Sequence, residues 1–332
     1  MRIKAIVILL ILLVVGALPF ALSNMRSTNT EKKLIQIKEE MSLVDLQNLV
    51  EKELGIKVYP SFEFWCKWKG YNKTSNTYLM VEPNTSFLSV IALLKRYSTG
   101  TFDWVLRSSW TEKELANSIS SKYNWDKQQV FDLLSNDSIL NSYGCNKLTW
   151  HKLFIANTYN LKYSYTPEKW LERMHDESQK FWKNRRELAA QNQSEIFKNN
   201  TDVVILASIV TKESNAVKEF GKIAGVYKNR LKINQLLQAD PTVVFARGRT
   251  GRVLKSDTKI ESPYNTYIHK GLPPGPLCIP DPKAIDSCLF GSGYPYFYFC
   301  AKPDNSGTHN FAKTLQEHDA NAAKYHRWLN GR

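Results

Sequence analysis

Three stretches decide how this chain is read: Leu206–Ser214 (LASIVTKES), Tyr227–Phe245 (YKNRLKINQLLQADPTVVF) and Ser262–Pro276 (SPYNTYIHKGLPPGP). Just before and within the first, Val203, Leu206, Ala207 and Val210 recur at i, i+3, i+4 and i+7, the stripe of a core-facing helix. Glu213 stands seven residues beyond Leu206, so at about 100° per residue it falls on nearly the same face. A carboxyl group there is partly desolvated and close to the negative end of a helix dipole, and both effects raise its pKa. An acid that keeps its proton near neutral pH is what general acid catalysis needs. The alternative for an isolated helix-end Glu is an ion pair with a nearby Lys or Arg. A second helix is expected from Val217 to Lys232, with Phe220, Ile223, Ala224, Tyr227 and Leu231 inward. Asp240-Pro241 and Gly271–Gly275 read as rigid turns suited to walling a groove.

The motifs come in a fixed order between Ala207 and His318. They are Ala207-Ser208-Ile209-Val210 with Lys212-Glu213, Asn229-Arg230-Leu231, Leu237–Val243, Tyr264-Asn265-Thr266-Tyr267, Gly271–Pro276, and a closing set of Tyr296–Phe299, His309, Phe311 and Glu317-His318. Together they resemble the endolytic murein transglycosylases, the MltG or YceG-like family. The resemblance implies a membrane-anchored lyase that cuts peptidoglycan glycan strands internally at the MurNAc–GlcNAc bond, leaving 1,6-anhydro-MurNAc ends and ending strand elongation. It places the catalytic acid on Glu213 and substrate binding on Gln238, Asp240, Tyr264, Asn265, Thr266 and Tyr267, with Glu219, Asn229 and Arg230 in support. It implies no metal and no cofactor. The partners it implies are glycan strands, the cytoplasmic membrane and cell-wall synthases. Two positions depart from the pattern. An upstream acid is replaced by His151 in the stretch Trp150–Tyr159, and the turn after Pro276 reads Ile279-Pro280-Asp281.

One acid suffices for such a reaction. A hydrolytic glycosidase usually needs two carboxylates, but here the nucleophile is the C6 hydroxyl of the muramyl sugar, already held beside the anomeric carbon. Two rivals stay open: a glycan-binding protein without catalysis, and a hydrolase pairing Glu213 with Glu219 or Asp240. Glu219 lies six residues on, about 240° around an unbroken helix, so that pairing needs a break near Ser214-Asn215.

With 332 residues, 43% of them hydrophobic and 12% aromatic, the chain fills about two domains plus an anchor. Ala5–Leu22 is uncharged and follows Arg2 and Lys4. Its eighteen residues rise about 27 Å as a helix, enough to span a bilayer with flanking help. The expectation is a single-pass anchor in the cytoplasmic (inner) membrane, with residues 1–4 as a cytoplasmic stub and the catalytic part on the periplasmic or outer side. A signal peptide cleaved near Ala21-Leu22-Ser23 is the alternative. The formal net charge of +14 points to an anionic partner. Nucleic acid is set aside, since no nucleic-acid module is recognisable. Lipid headgroups and peptide-stem carboxylates remain. Five cysteines without a CxxC pair leave open a bridge from Cys278 to Cys288 or Cys300, or buried free thiols.

The fold class expected is α+β. A linker at 23–33 leads to a LysM-like α+β and helical region over 34–144, then to a mixed α/β catalytic domain over 145–332. The LysM-like region shows three times an apolar strand, a hydroxyl cap and an amphipathic helix: Leu34–Ile37 with Ser42, Thr77–Val81 with Thr85-Ser86, and Asp103–Leu106 with Thr111. Its Trp65, Trp68 and Trp104 serve either sugar stacking or the core. Pro167 to about Lys198 reads as a polar, solvated helix.

Overall fold

Hydroxyl caps start the first helices where the sequence places them. Ser42 accepts from Asp45 N at 3.1 Å, and Ser86 from Ser89 N at 3.3 Å. Thr111 and Glu114 bond each other's backbone N–H groups as a capping box. In the computed structural model the described residues are 25–38, 40–56, 62–74, 77–123, 125–191, 197, 199–291 and 293–331. The Ala5–Leu22 segment, with its reading as anchor or signal peptide, lies outside them. Among the described residues no helix is long and apolar enough to cross a membrane.

The architecture is α+β, with twelve α-helices and three two-stranded sheets among the described residues. The chain forms two compact units. The first takes the described residues up to Trp104, with Ile119–Asp126 and Tyr159–Trp170; the second takes Val105–Ser118, Lys127–Thr158 and the described residues from Leu171 on. The sequence suggested one changeover between residues 144 and 145. The chain instead crosses several times, because strand β4 (Asn157–Lys162) returns to pair with β3 (Thr101–Leu106).

In the first unit, β1 (Lys33–Ile37) runs antiparallel to β2 (Thr77–Val81), with Lys33 opposite Val81 and Ile37 opposite Thr77. Helices α1 (Leu43–Leu54) and α2 (Phe62–Trp68) lie between them in sequence, and α3 (Phe87–Thr99) follows. Alternation puts Ile35, Ile37, Leu79 and Val81 inward, against Leu46 and Val50 of α1. Trp65 and Trp104 belong to cores, whereas Trp68 is 63% exposed. Trp104 also meets Trp170 edge-on at 6.0 Å.

Helices α4 (Glu112–Tyr123), α5 (Lys127–Ser135) and α6 (Asp137–Ser142) precede α7 (Pro167–Gln191). The expected solvated face holds for only part of α7. Met174, Ser178 and Trp182, spaced by four, are buried as an inward stripe.

The second unit is built on α8 (Asn200–Glu213), capped by Asn199, which accepts from Asp202 N at 2.8 Å. Its nine residues from Val203 to Thr211 are all buried, so the helix is enclosed on every face rather than along one stripe. It packs against α9 (Phe220–Lys232) and α11 (Pro282–Phe290), with α10 (Asp240–Arg247) beside it. A hairpin of β5 (Tyr298–Ala301) and β6 (His309–Ala312) then leads to α12 (Leu315–Asn330), started by a Thr314/Glu317 capping box. All five cysteines are free, and burial pushes the Cys278 and Cys288 thiols up to about 12.

Total enclosure requires the polar atoms of α8 to be partnered. Ser208 Oγ donates to Ile205 O at 2.7 Å and accepts from Leu277 N at 2.9 Å. One turn on, Thr211 Oγ1 donates to Ala207 O at 2.7 Å and accepts from Asp281 N at 3.0 Å. These two hydroxyls fasten the segment after Pro276 to the helix. The unusual Ile279-Pro280-Asp281 is the start of α11: Asp281 accepts from Lys283 N at 2.8 Å, and Pro282 occupies the first turn. Ser208→Ala strands a buried N–H at Leu277 and is expected to lower stability by about 1–3 kcal/mol. Chemical denaturation with an unchanged m-value is the check, and a stability equal to wild type would contradict this role for the hydroxyl.

Candidate active site

Helix α8 ends at Glu213, and the backbone leaves it at Ser214 in an extended conformation (φ −149°, ψ 144°). The Glu213 side chain lines a cleft of about 1500 Å³ in the second unit. Burial pushes its carboxyl pKa up to about 8, and the charge of Asp240 adds to the rise; the Tyr227 hydroxyl and the Arg230 guanidinium offset part of it. Glu213 Oε2 and the Tyr227 hydroxyl are both buried without a hydrogen-bond partner among the described residues. A neutral acid tolerates that isolation far better than a carboxylate does. Among the described residues, the ion pair left open by the sequence is not formed. Arg230 acts on Glu213 through charge, while its Nε donates to Phe297 O and its Nη1 to Leu237 O, both at 2.7 Å.

The far wall begins at Gln238, a non-glycine residue in the left-handed region (φ 49°), whose N–H bonds Thr266 O at 3.0 Å. Behind it, Thr266 Oγ1 accepts from Ala239 N at 3.0 Å and meets Thr242 Oγ1 at 2.9 Å. Asn265 is fully buried. Its Nδ2 donates to Thr258 O at 3.0 Å and Ile260 O at 2.9 Å, and its Oδ1 accepts from Tyr267 N at 3.0 Å. That hub turns Tyr267 into the cleft, where its hydroxyl donates to Asp240 Oδ1 at 2.6 Å.

Of the residues singled out in the sequence, Glu213, Arg230, Gln238, Asp240 and Tyr267 come together around the cleft. The others stand behind it. Asn265 and Thr266 spend their polar atoms on the loop. Tyr264 packs on Phe245 with ring centroids 4.6 Å apart, and its hydroxyl lies within 2.8 Å of where a Cβ on Gly275 would stand. Asn229 Nδ2 donates to the Tyr294 and Tyr296 carbonyls. The helix break that Glu219 needed is present, yet Glu219 turns to His309, accepting from its Nδ1 at 2.8 Å and its backbone N at 3.1 Å. His151, in the place of an acid, is buried and stacked on Trp150 at 3.8 Å; burial pushes its pKa down to about 3.

Tyr227 was legible only as an inward helical residue, and its place beside Glu213 depends on how α9 packs on α8. His309 and His318, noted only within the closing motif, line the cleft, as do residues of the Gly248–Lys255 loop. The basic run after Gly248 was the available signal for that loop.

Fold and site together define an α+β protein whose second unit presents one proton-holding carboxyl group in a large cleft. The YceG-like family model matches residues 35–324, and the chain belongs to that family. The Bacillus subtilis (strain 168) protein named endolytic murein transglycosylase is 26% identical over 95% of this chain and 91% of its own length. A Streptococcus pneumoniae (serotype 2, strain D39) protein of the same name is 33% identical over 130 residues, 37% of this chain and 23% of its own. The crystal structure of a YceG-like protein from Listeria monocytogenes superposes with a TM-score of 0.56 at 23% identity, covering 88% of this chain and 99% of that one. At that identity the likeness speaks for the fold alone.

The Glu213 pKa has a consequence for stability. Its folded value, about 8, lies above the ordinary 4.5, so the folded state holds a proton that the unfolded chain releases. Stability is therefore full below the ordinary value and is lost as pH rises toward the folded one. Glu213→Gln removes this loss, so the melting temperature of the variant relative to wild type should climb between about pH 5 and pH 8. A difference that stays constant across that range would contradict a buried neutral acid.

Proposed function

We propose that this chain is an endolytic peptidoglycan transglycosylase, a lyase that cuts MurNAc–GlcNAc bonds within glycan strands and leaves 1,6-anhydro-MurNAc ends, which stops strand growth. The carrying observation is a single neutral carboxyl group, Glu213, held in the cleft of a chain matched by the YceG-like family model over residues 35–324. Relatives named endolytic murein transglycosylase support the substrate and the type of reaction.

Glu213 gives its proton to the departing glycosidic oxygen. The resulting carboxylate takes the proton of the muramyl C6 hydroxyl as that oxygen closes on the anomeric carbon, so the acid is restored without water. Burial and Asp240 keep the proton on Glu213 before the transfer; Tyr227 and Arg230 favour the carboxylate during it. Asp240 thus acts as a positioning charge and not as a nucleophile, fixed by the Tyr267 hydroxyl. Gln238 and Tyr267 offer polar atoms to the sugars. Asn265, Thr266, Tyr264, Asn229 and Glu219 hold the walls.

Ala5–Leu22 is the single-pass anchor in the cytoplasmic membrane, with the cleft on its outer side near the cell-wall synthases. The β1-α1-α2-β2 arrangement supports a LysM-like reading of the first unit.

Glu213→Gln is expected to cut strand cleavage at least about 100-fold with the fold intact. Near-normal turnover would remove the assignment. Glu219→Gln and Asp240→Asn should still yield anhydro ends by mass spectrometry. Wild-type activity should fall as pH rises through about 8. The Asp240→Asn variant should lose activity at lower pH than wild type, because the neighbouring charge that holds the proton on Glu213 is gone. Products carrying an added water would favour the two-carboxylate hydrolase instead.

A further inference from the structure

The outer wall of the cleft is basic. Arg249, Arg252 and Lys255 line it from the loop after α10, and Lys212 lines it from the end of α8. All four are exposed. The exposed acid lining the same cleft is Asp240, which already accepts from Tyr267. Arg249 does reach a carboxylate, Asp257, at 3.3 Å, but its side chain is still 66% exposed.

Loose surface cations discriminate poorly. This loop is held in place. Arg247, with a side chain only 3% exposed, sits inside its curve and donates to the carbonyls of Arg249 and Arg252, each at 3.0 Å, and to that of Gly251. Its Nη1 also pairs with Asp257 Oδ2 at 2.5 Å, and the same oxygen accepts from Leu254 N at 2.9 Å. The Leu254 N–H and the Arg247 guanidinium hold the Asp257 carboxyl below its ordinary range, so the clamp stays ionised. Gly251, at φ 106°, takes a bend that a side chain would resist. One buried arginine therefore fixes the backbone from which the basic side chains project.

We propose that this loop is a subsite for the carboxylates of the peptide stems carried by the glycan strand, so that stem-bearing strands are selected over bare ones. This rests on the peptidoglycan reading above and specifies which form of the strand the cleft prefers. While its lactyl group is amide-linked to a stem, each muramyl unit exposes hydroxyl and N-acetyl groups, so in the intact strand the stems carry the negative charge. A cleft wall of one sign focuses its field on an incoming anion and raises its local concentration and on-rate about 10–10³-fold.

The test uses the full chain in detergent with two substrates: uncross-linked stem-bearing strands, and the same strands after an amidase has removed the stems and the lactyl carboxylates it frees have been capped as methylamides. The kcat/KM ratio is expected to favour stem-bearing strands by about tenfold or more. It should shrink as salt rises and the Debye length drops from about 10 Å at 0.1 M to about 3 Å at 1 M. Combining Arg249→Gln, Arg252→Gln and Lys255→Gln should bring the ratio near one, and the corresponding Glu substitutions should take it below one. A wild-type ratio of one overturns the subsite, and so does a preference that survives charge reversal in a protein with unchanged circular dichroism. Binding of both strands to the Glu213→Gln variant reads the preference without turnover. Equal binding there counts against the subsite. Failure of the wild type to cleave either strand counts against the catalytic reading and takes the subsite with it.

Discussion

The second unit depends on the enclosure of α8 from Val203 to Thr211. A helix buried on every face leaves no water for its polar atoms, so each must be partnered or neutral. Ser208 and Thr211 are partnered, and in meeting that demand they fix the path of Leu277–Asp281 and the start of α11. Glu213, at the exposed end of the same helix, is left neutral by its surroundings. Packing and chemistry are thus one constraint: the burial that encloses the helix also loads its terminal acid with a proton.

Behind the cleft, a second set of buried polar groups does for loops what α8 does for helices. Asn265, Thr266 and Thr242 use nearly all their hydrogen-bonding capacity on backbone and on each other. Gln238 is thereby held in the left-handed region, and Tyr267 is turned toward Asp240. A motif such as Tyr-Asn-Thr-Tyr therefore mixes two kinds of residue. Its last member reaches the cleft; its middle members are scaffolding whose replacement would move the cleft wall.

What the sequence made legible was local. The caps at Ser42, Ser86 and Thr111, the period of Val203–Val210 and the placement of Glu213 follow from neighbours within a turn or two. What it hid was non-local. The return of β4 to β3 brings together residues far apart in the chain, which no local pattern near 144 announces. The inward stripe of α7 was masked by the Lys, Arg, Glu and Gln around it. Tyr227 could not be set beside Glu213 before α8 and α9 were packed. Nor could Asn265 be told from a sugar-binding amide, since the same side chain serves either purpose until its partners are known.

Under the proposed chemistry a single carboxyl group must release a proton and then retrieve one, so its affinity for that proton cannot be extreme in either direction. Burial alone would push Glu213 far up; a direct salt bridge to Arg230 would pull it far down. The structure avoids both. Arg230 is tethered by carbonyls at Phe297 and Leu237, which keeps the guanidinium near enough to favour the carboxylate without closing on it as a hydrogen-bonded pair. Asp240, bonded to Tyr267, contributes the opposing charge from the other wall. Each of these groups is anchored to something other than Glu213, so the balance around the acid survives the change in its own charge. A partner free to follow that charge would trap the proton on one side of the reaction.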